Sequence, residues 1–211
     1  MRYDEMMMYV EQVLKLNNAI TTGNHTFRNR FEHSKRVYYW AQKIADDFPH
    51  CNKEVLFTSA IFHDIGYALG KENHAKNGAE IFKNYATEQN YEEEFIDEVY
   101  YCVLNHSNKE MLNDPNTKPE LILLMEADWL DEEGALAVTW DILSCGITKP
   151  TSFNDVFEFL YKYSKKILAQ EYMVTPIAKK IWLEKQKFVK NFIETLEGDL
   201  FVNEVDYVKE N

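Results

Sequence analysis

Apolar residues recur at intervals of three and four along almost the whole chain, whereas the apolar–polar alternation of half-buried strands is absent. This spacing is typical of amphipathic helices, because it places the apolar residues on one face. We therefore predict an all-α fold. The predicted helices cover residues 4–19, 27–48, 53–65, 74–88, 92–106, 119–131, 134–145, 153–169 and 173–197.

The chain has 211 residues, of which 45% are hydrophobic, enough for one good core. Its seven glycines and five prolines form no cluster that would indicate a linker between modules. We predict a single domain over residues 1–211, with a core at about 27–145, further helices at about 150–198 and a tail at 199–211. A short docked helix and a frayed end are both open for the tail.

The charge and the cysteines narrow the class of protein. With 23 basic and 35 acidic residues the net charge is −12, which repels a nucleic-acid polymer but allows a small phosphorylated substrate. No run approaches the ~20 apolar residues that span a bilayer, so we expect no membrane partner and a cytoplasmic protein. Cys51, Cys102 and Cys145 form no CxxC pair and are expected to be reduced, buried thiols.

Several histidines and aspartates occupy helix positions where the periodicity requires a core residue. His33 begins the apolar stripe of the second predicted helix, and His63 ends that of the third, directly before Asp64. His106 and Asp128 lie at similar positions in the fifth and sixth predicted helices. A lone inward histidine is usually a hydrogen-bonded core residue, but four such helix ends in one chain indicate a shared site.

The two inward carboxylates need positive charge. An ionised carboxylate in an apolar interior is costly unless it is paired, strongly hydrogen-bonded or bound to metal. Arg36, one turn beyond His33, is a candidate partner for Asp64 and Asp128, but it is one cation for two acids. A divalent ion would satisfy both acids and the histidines together.

The order of these residues resembles that of a known superfamily. His33, then His63-Asp64 within the letters FHDIG, then Asp128 follow the H…HD…D pattern of the HD-domain metal-dependent phosphohydrolases. The letters HAKNGA at 74–79 and LDEEGA at 130–135 also resemble small stand-alone bacterial members of that superfamily. The resemblance implies an HD-domain helical bundle, here with additional C-terminal helices.

The resemblance also implies a metal centre and a reaction. His33, His63, Asp64 and Asp128 are the implied ligands of one divalent cation, and they are the residues that the apolar stripes indicate. Two imidazoles and two carboxylates suit Mn, Fe, Co, Ni, Zn or Mg, and a second metal is also open. The implied reaction is hydrolysis of a nucleotide or related phosphoester by a metal-activated water.

Further residues are candidates for catalysis. Asp64 would orient the attacking water as well as bind metal. His74 and His106 are candidates for a second metal, for phosphate contact or for general acid catalysis, with an indirect hydrogen-bonding role equally open. Arg36 is a candidate phosphate contact. Lys71 and Lys76 also lie close to the motifs in sequence, and both are expected to be surface charges.

Two residues close to Asp128 in sequence have further predicted features. Asp131, one turn beyond Asp128, either orients a ligand histidine or is a surface acid. Trp129 departs from the resembled pattern, in which a basic residue is common at this position. His25 and His50 receive no role.

Two other functions are open at this point. Some HD proteins contain a di-iron centre that performs oxygen-dependent cleavage, for which His74 and His106 would provide the extra ligands. A nucleotide-binding regulatory module that keeps its metal without rapid turnover is the other alternative. The oligomeric state is open.

Overall fold

A computed structural model describes residues 2–21, 26–46, 48–148, 152–168 and 170–201. Within these ranges the chain forms nine α-helices and two 3-10 segments and contains no strand, which confirms the all-α prediction. The helices are α1 (Tyr3–Leu16), α2 (Arg30–Ala45), α3 (Lys53–Phe62), α4 (His74–Glu88), α5 (Glu93–Asn105), α6 (Pro119–Asp131), α7 (Ala135–Thr148), α8 (Phe153–Ile167) and α9 (Pro176–Leu200). The first 3-10 segment is Ile65–Leu69 and the second is Lys109–Asn113. None of these helices is long and apolar enough to cross a membrane.

Local chemistry at the helix ends explains where the predicted bounds were wrong. α2 begins at Arg30 because the side chain of Asn29 accepts a hydrogen bond from the backbone N–H of Glu32. α9 begins at Pro176, since proline suits the first position of a helix. α3 ends at Phe62, and the chain then tightens into the first 3-10 segment, which periodicity alone did not predict.

The chain divides into two compact units. The first, here called the N-terminal unit, contains the described residues up to Asp131 together with Val174–Ala178, and the C-terminal unit contains the rest. The single domain over 1–211 therefore stays a prediction. Most of the predicted tail, residues 202–211, and His25 lie outside the described residues.

The core of the N-terminal unit is built around α3. This helix packs against α2, α5 and α6, and seven of its ten residues are buried. A helix that is apolar on nearly every side belongs in an interior. His63 and Asp64 directly follow this helix, so the fold carries an imidazole and a carboxylate into the core, where they are 0% and 5% exposed.

A buried glutamate ties a late part of the chain to α6. Glu126 is fully buried, and its Oε1 accepts hydrogen bonds from the backbone N–H of Val174 at 2.6 Å and of Thr175 at 2.8 Å. The hydroxyl of Thr175 donates to Glu126 Oε2 at 2.5 Å. Three donors satisfy this carboxylate, and they fix Val174–Ala178 as part of the N-terminal unit.

The C-terminal unit has a small apolar core of its own. Val138 of α7, Leu160 of α8, and Val189 and Ile193 of α9 are buried together there. α8 begins with a capping box, in which the Ser152 side chain and its partner three residues later satisfy each other's backbone N–H groups.

Two glycines allow α4 to pack directly against the first 3-10 segment. A Cβ on Gly66 would lie 1.9 Å from the carbonyl oxygen of His74 and 2.3 Å from the backbone nitrogen of Gly78. No side chain fits there, so glycine at position 66 permits a contact between two backbones. This contact brings the first residue of α4, His74, beside Asp64.

Gly66→Ala should therefore destabilise the protein strongly. Because the obstacle is backbone, we expect a loss of about 3 kcal/mol or more in the free energy of unfolding, at the upper end of overpacking costs. Gly146→Ala and Gly198→Ala are matched controls, since a Cβ at either helical position meets nothing within 4 Å and should be neutral or stabilising. Urea denaturation of the three variants makes the comparison, and wild-type stability of Gly66→Ala would contradict the role of this contact.

Candidate metal centre

The imidazoles of His33 and His63 face each other in the interior of the N-terminal unit. Their Nε2 atoms are 3.2 Å apart, and both side chains are buried. The Nδ1 atom of His33 lies 2.7 Å from Asp131 Oδ2, and that of His63 lies 2.9 Å from the carbonyl oxygen of Ala60. Because those oxygens only accept, each Nδ1 donates, and the Nε2 atoms of the two rings face one another.

Two carboxylates complete this group. Asp128 Oδ1 lies 3.3 Å from Nε2 of His33 and 3.9 Å from Nε2 of His63. Asp64 approaches from the other side, with Oδ2 3.8 Å from His33 Nε2 and Oδ1 3.8 Å from His63 Nε2. The structure thus brings all four predicted ligands together, and their role as ligands remains a proposal.

The donor set fits a divalent cation. Burial opposes charge on His33, but its hydrogen bonds with Asp128 and Asp131 outweigh burial and raise its pKa to about 10. Burial lowers the pKa of His63 to about 4. The cluster therefore holds positive charge between its carboxylates as a proton on His33. A metal ion would meet the same requirement while both Nδ1 protons stayed in place, as is usual for histidine ligands.

Two cations that the apolar pattern did not indicate pair with Asp64 and Asp128. Nη1 of Arg30 lies 2.7 Å from Asp64 Oδ2, and Nζ of Lys109 lies 2.8 Å from Asp128 Oδ2. Burial opposes ionisation of both carboxyls, but the nearby imidazoles and these cations hold the pKa of each well below its usual range. Both acids are therefore ionised. The periodicity could not identify these partners, because each cation lies on a different element from the acid with which it pairs.

Arg36 contacts a different acid from the two considered in the sequence analysis. Its Nε and Nη2 lie 2.7 and 3.0 Å from the two oxygens of Asp131, a bidentate pair. Asp131 is only 2% exposed and also accepts from Nδ1 of His33. Of the two roles that were open for Asp131, the geometry thus favours orientation of His33. It does not favour a surface acid.

His74 and His106 form a second group on Asp64. Their Nε2 atoms lie 3.8 and 3.7 Å from Asp64 Oδ1. Each Nδ1 is bound to the backbone carbonyl three residues earlier, at 3.1 and 2.7 Å respectively. The hydroxyl of Ser107 lies between the two rings, 3.0 Å and 3.1 Å from their Nε2 atoms. Asp64 is therefore common to two groups that could each hold a cation.

Tyr67 connects the two groups through its ring. The guanidinium carbon of Arg30 lies 3.2 Å from the ring centroid, and the imidazole of His74 stacks on the ring at 4.4 Å with an interplanar angle of 25°. Two groups cannot occupy one face at these distances, so Tyr67 lies between them. The cation that neutralises Asp64 and the imidazole that faces Asp64 are thereby held by one residue.

The remaining candidates lie away from the centre. Lys71 and Lys76 are exposed, as expected for surface charges. Cys51, Cys102 and Cys145 are buried, free thiols. Burial raises the pKa of Cys51 and of Cys102 to about 12, which disfavours the reactive thiolate at both positions.

Comparison with known families identifies the fold and the motif. Residues 30–133 match the family model of the HD domain, so this part of the chain is an HD domain. A protein of Clostridium beijerinckii is 38% identical over 104 residues, which are 47% of this chain and 66% of that relative.

Solved structures give the same fold. An HD-superfamily hydrolase of Bacillus thuringiensis aligns with a TM-score of 0.68 and 19% identity, covering 93% of this chain and 95% of the other. YpgQ of Bacillus subtilis in complex with ADP aligns with a TM-score of 0.65 and 18% identity, covering 94% and 97%. At these identities the likeness establishes the fold of the HD-superfamily hydrolases.

Arg30→Met should destabilise the protein most when metal is withheld. Removing one partner of a buried pair leaves Asp64 unneutralised, which costs about 3–5 kcal/mol. Added Mn²⁺ should recover part of this loss, because a bound cation supplies the missing charge. Urea denaturation with chelator and with Mn²⁺ tests both points, and Arg30→Lys, which keeps the charge, should lose less. Equal stability of Arg30→Met and wild type in chelator would refute the pairing argument.

Proposed function

We propose that this protein is a metal-dependent phosphohydrolase acting on a small phosphorylated molecule, a nucleotide or related phosphoester. The observation that carries the proposal is the convergence of His33, His63, Asp64 and Asp128, with each imidazole held through its Nδ1. A divalent cation bound there, whether Mn, Fe, Co, Ni, Zn or Mg, would polarise a phosphoryl group and lower the pKa of a water molecule.

The residues of the chain have distinct tasks in this reaction. Asp64 stays anionic beside Arg30, so it could bind the cation and orient the attacking water, while a neighbouring carboxylate or imidazole accepts the proton. Asp131 fixes the ring of His33. His74 and His106 present Nε2 lone pairs toward Asp64, so their geometry suits proton acceptance or cation binding better than general acid catalysis.

A nucleotide substrate is supported by two observations. YpgQ, which shares the fold, was crystallised with ADP. The net charge of −12 disfavours a phosphate polymer and leaves a small ligand that local cations can hold. Arg36 remains a proposed phosphate contact, because its side chain is 42% exposed despite the pair with Asp131.

A two-metal centre is the second candidate, favoured by the position of Asp64 between two groups of ligand atoms. In hydrolysis, a second cation would need His74 and His106. The same arrangement would suit the di-iron oxygenase alternative, which requires two irons and substrate-dependent oxygen consumption. A regulatory module would instead bind a nucleotide tightly and release no phosphate.

Asp128→Ala should lose bound metal and nearly all phosphate release. The variant removes a carboxylate that faces both imidazoles, so the remaining cluster holds a cation poorly. Metal analysis of the purified protein and a phosphatase screen over nucleotides and sugar phosphates provide the readouts. Asp97→Ala, the same charge change at an exposed position of α5, is the control. Wild-type metal content and rate in Asp128→Ala would refute the site, and in wild type the addition of a chelator should lower Tm.

His74→Ala and His106→Ala should leave the cation at His33 in place. If these residues act on substrate or water, kcat/KM should fall by about 10²–10⁴ with one ion retained per chain. If they bind a second cation, metal stoichiometry should fall from two to one. Titration of metal into the apo-protein with phosphate release as the signal separates these results. Unchanged turnover in both variants would show that the two histidines are structural.

A further inference from the structure

Lys109 lies at the edge of the metal centre, on an element that none of the motifs includes. It begins the second 3-10 segment, three residues after His106. Its Nζ is 2.8 Å from Asp128 Oδ2 and 3.5 Å from the carbonyl oxygen of Met125. The same ammonium lies 5.1 Å from the ring centroid of Trp129. An acid, a helical carbonyl and an aromatic face therefore hold this cation at the C-terminal end of α6.

The carboxylate of Asp128 lies between this ammonium and the imidazole of His33. Its Oδ1 faces His33 Nε2 at 3.3 Å, while its Oδ2 faces Lys109. A ligand atom bound to a cation on the Oδ1 side would have its neighbouring oxygens close to the ammonium on the Oδ2 side. Phosphates have several oxygens around one phosphorus, which is the shape that such an arrangement accommodates.

The three cations that contact the acids of this centre differ in their availability. The side chain of Arg30 is 3% exposed and is held between Asp64 and Tyr67. Arg36 commits two of its nitrogens to Asp131. Lys109 is 24% exposed, and of its three N–H groups one meets a carboxylate and another only a carbonyl at 3.5 Å. Lys109 is thus best placed to turn toward an anion.

We propose that Lys109 binds a phosphate oxygen of the substrate, an inference that rests on the proposed phosphohydrolase function. When Asp128 directs its charge to a cation at the cluster, its pair with Lys109 weakens. The ammonium then exchanges a carboxylate partner for a phosphate partner without leaving the ring of Trp129. Lys109 is therefore a substrate-binding residue, and its loss should affect KM more than kcat or metal content.

A purely structural role makes a different prediction. If Lys109 only neutralises Asp128, its removal should strengthen metal binding or weaken folding, and substrate affinity should stay the same. Lys109→Met removes the charge and keeps much of the side-chain length, and Lys109→Arg keeps the charge. Lys118→Met is the matched control, because Lys118 is a 47% exposed lysine paired with Glu98 at 2.9 Å, away from the centre.

The test is calorimetric titration of the Mn²⁺-loaded full chain with the methylene analogue of ADP, which resists hydrolysis, alongside kcat and KM for ADP. For Lys109→Met we expect a Kd and a KM about 10–100 times higher, the range of one charge-assisted hydrogen bond. Metal content should stay at the wild-type value, and kcat should change only a few-fold. Lys109→Arg should recover most of the affinity, and Lys118→Met should match wild type.

The outcomes separate the two proposals. Wild-type analogue affinity in Lys109→Met, with wild type binding and hydrolysing ADP, overturns the role of Lys109 and leaves the proposed function intact. Loss of metal from Lys109→Met also overturns it, since the lysine would then act through the metal centre. If wild type neither binds the analogue nor releases phosphate from any phosphorylated compound tested, the proposed function fails, and the inference about Lys109 fails with it.

Discussion

Burial of a carboxylate removes the water that stabilises its charge, and the N-terminal unit contains such carboxylates at the centre of its fold. Asp64 is placed in the interior because it follows the most buried helix, α3. Its charge is stabilised by the ion pair with Arg30, and the guanidinium of Arg30 packs on the ring of Tyr67. The local structure, the packing and the electrostatics of the centre therefore all depend on the need to stabilise this one buried charge.

Backbone carbonyl groups orient three of the four imidazoles of the centre. In His63, His74 and His106 the Nδ1 proton is bound by the carbonyl three residues earlier, so the same local geometry recurs at three places in the chain. His33 differs, since a carboxylate performs this task. The other three rings are oriented by contacts within or next to their own helices, and packing of the helices then brings the four Nε2 atoms around Asp64.

The apolar periodicity predicted the helices and the inward direction of His33, His63, Asp64 and Asp128, because both depend on spacing within one helix. It could not predict Arg30 or Lys109 as partners of the acids, since that pairing depends on which elements meet. Arg36 was proposed for Asp64 and Asp128 on the basis of sequence proximity, yet it binds Asp131. The 3-10 segments were also missed, because five residues carry too little periodicity to be recognised.

Glu126 makes the order of synthesis matter for this centre. It lies two residues before Asp128 on α6, and it accepts three hydrogen bonds from Val174 and Thr175, more than forty residues later in the chain. A ribosome that has made the chain as far as residue 133, where the match to the HD domain ends, has made every proposed ligand but none of these donors. A nascent chain of that length lacks the three hydrogen bonds that Val174 and Thr175 donate to this buried carboxylate. These contacts beside Asp128 can therefore form only after the segment that contains Val174 and Thr175 has left the ribosome.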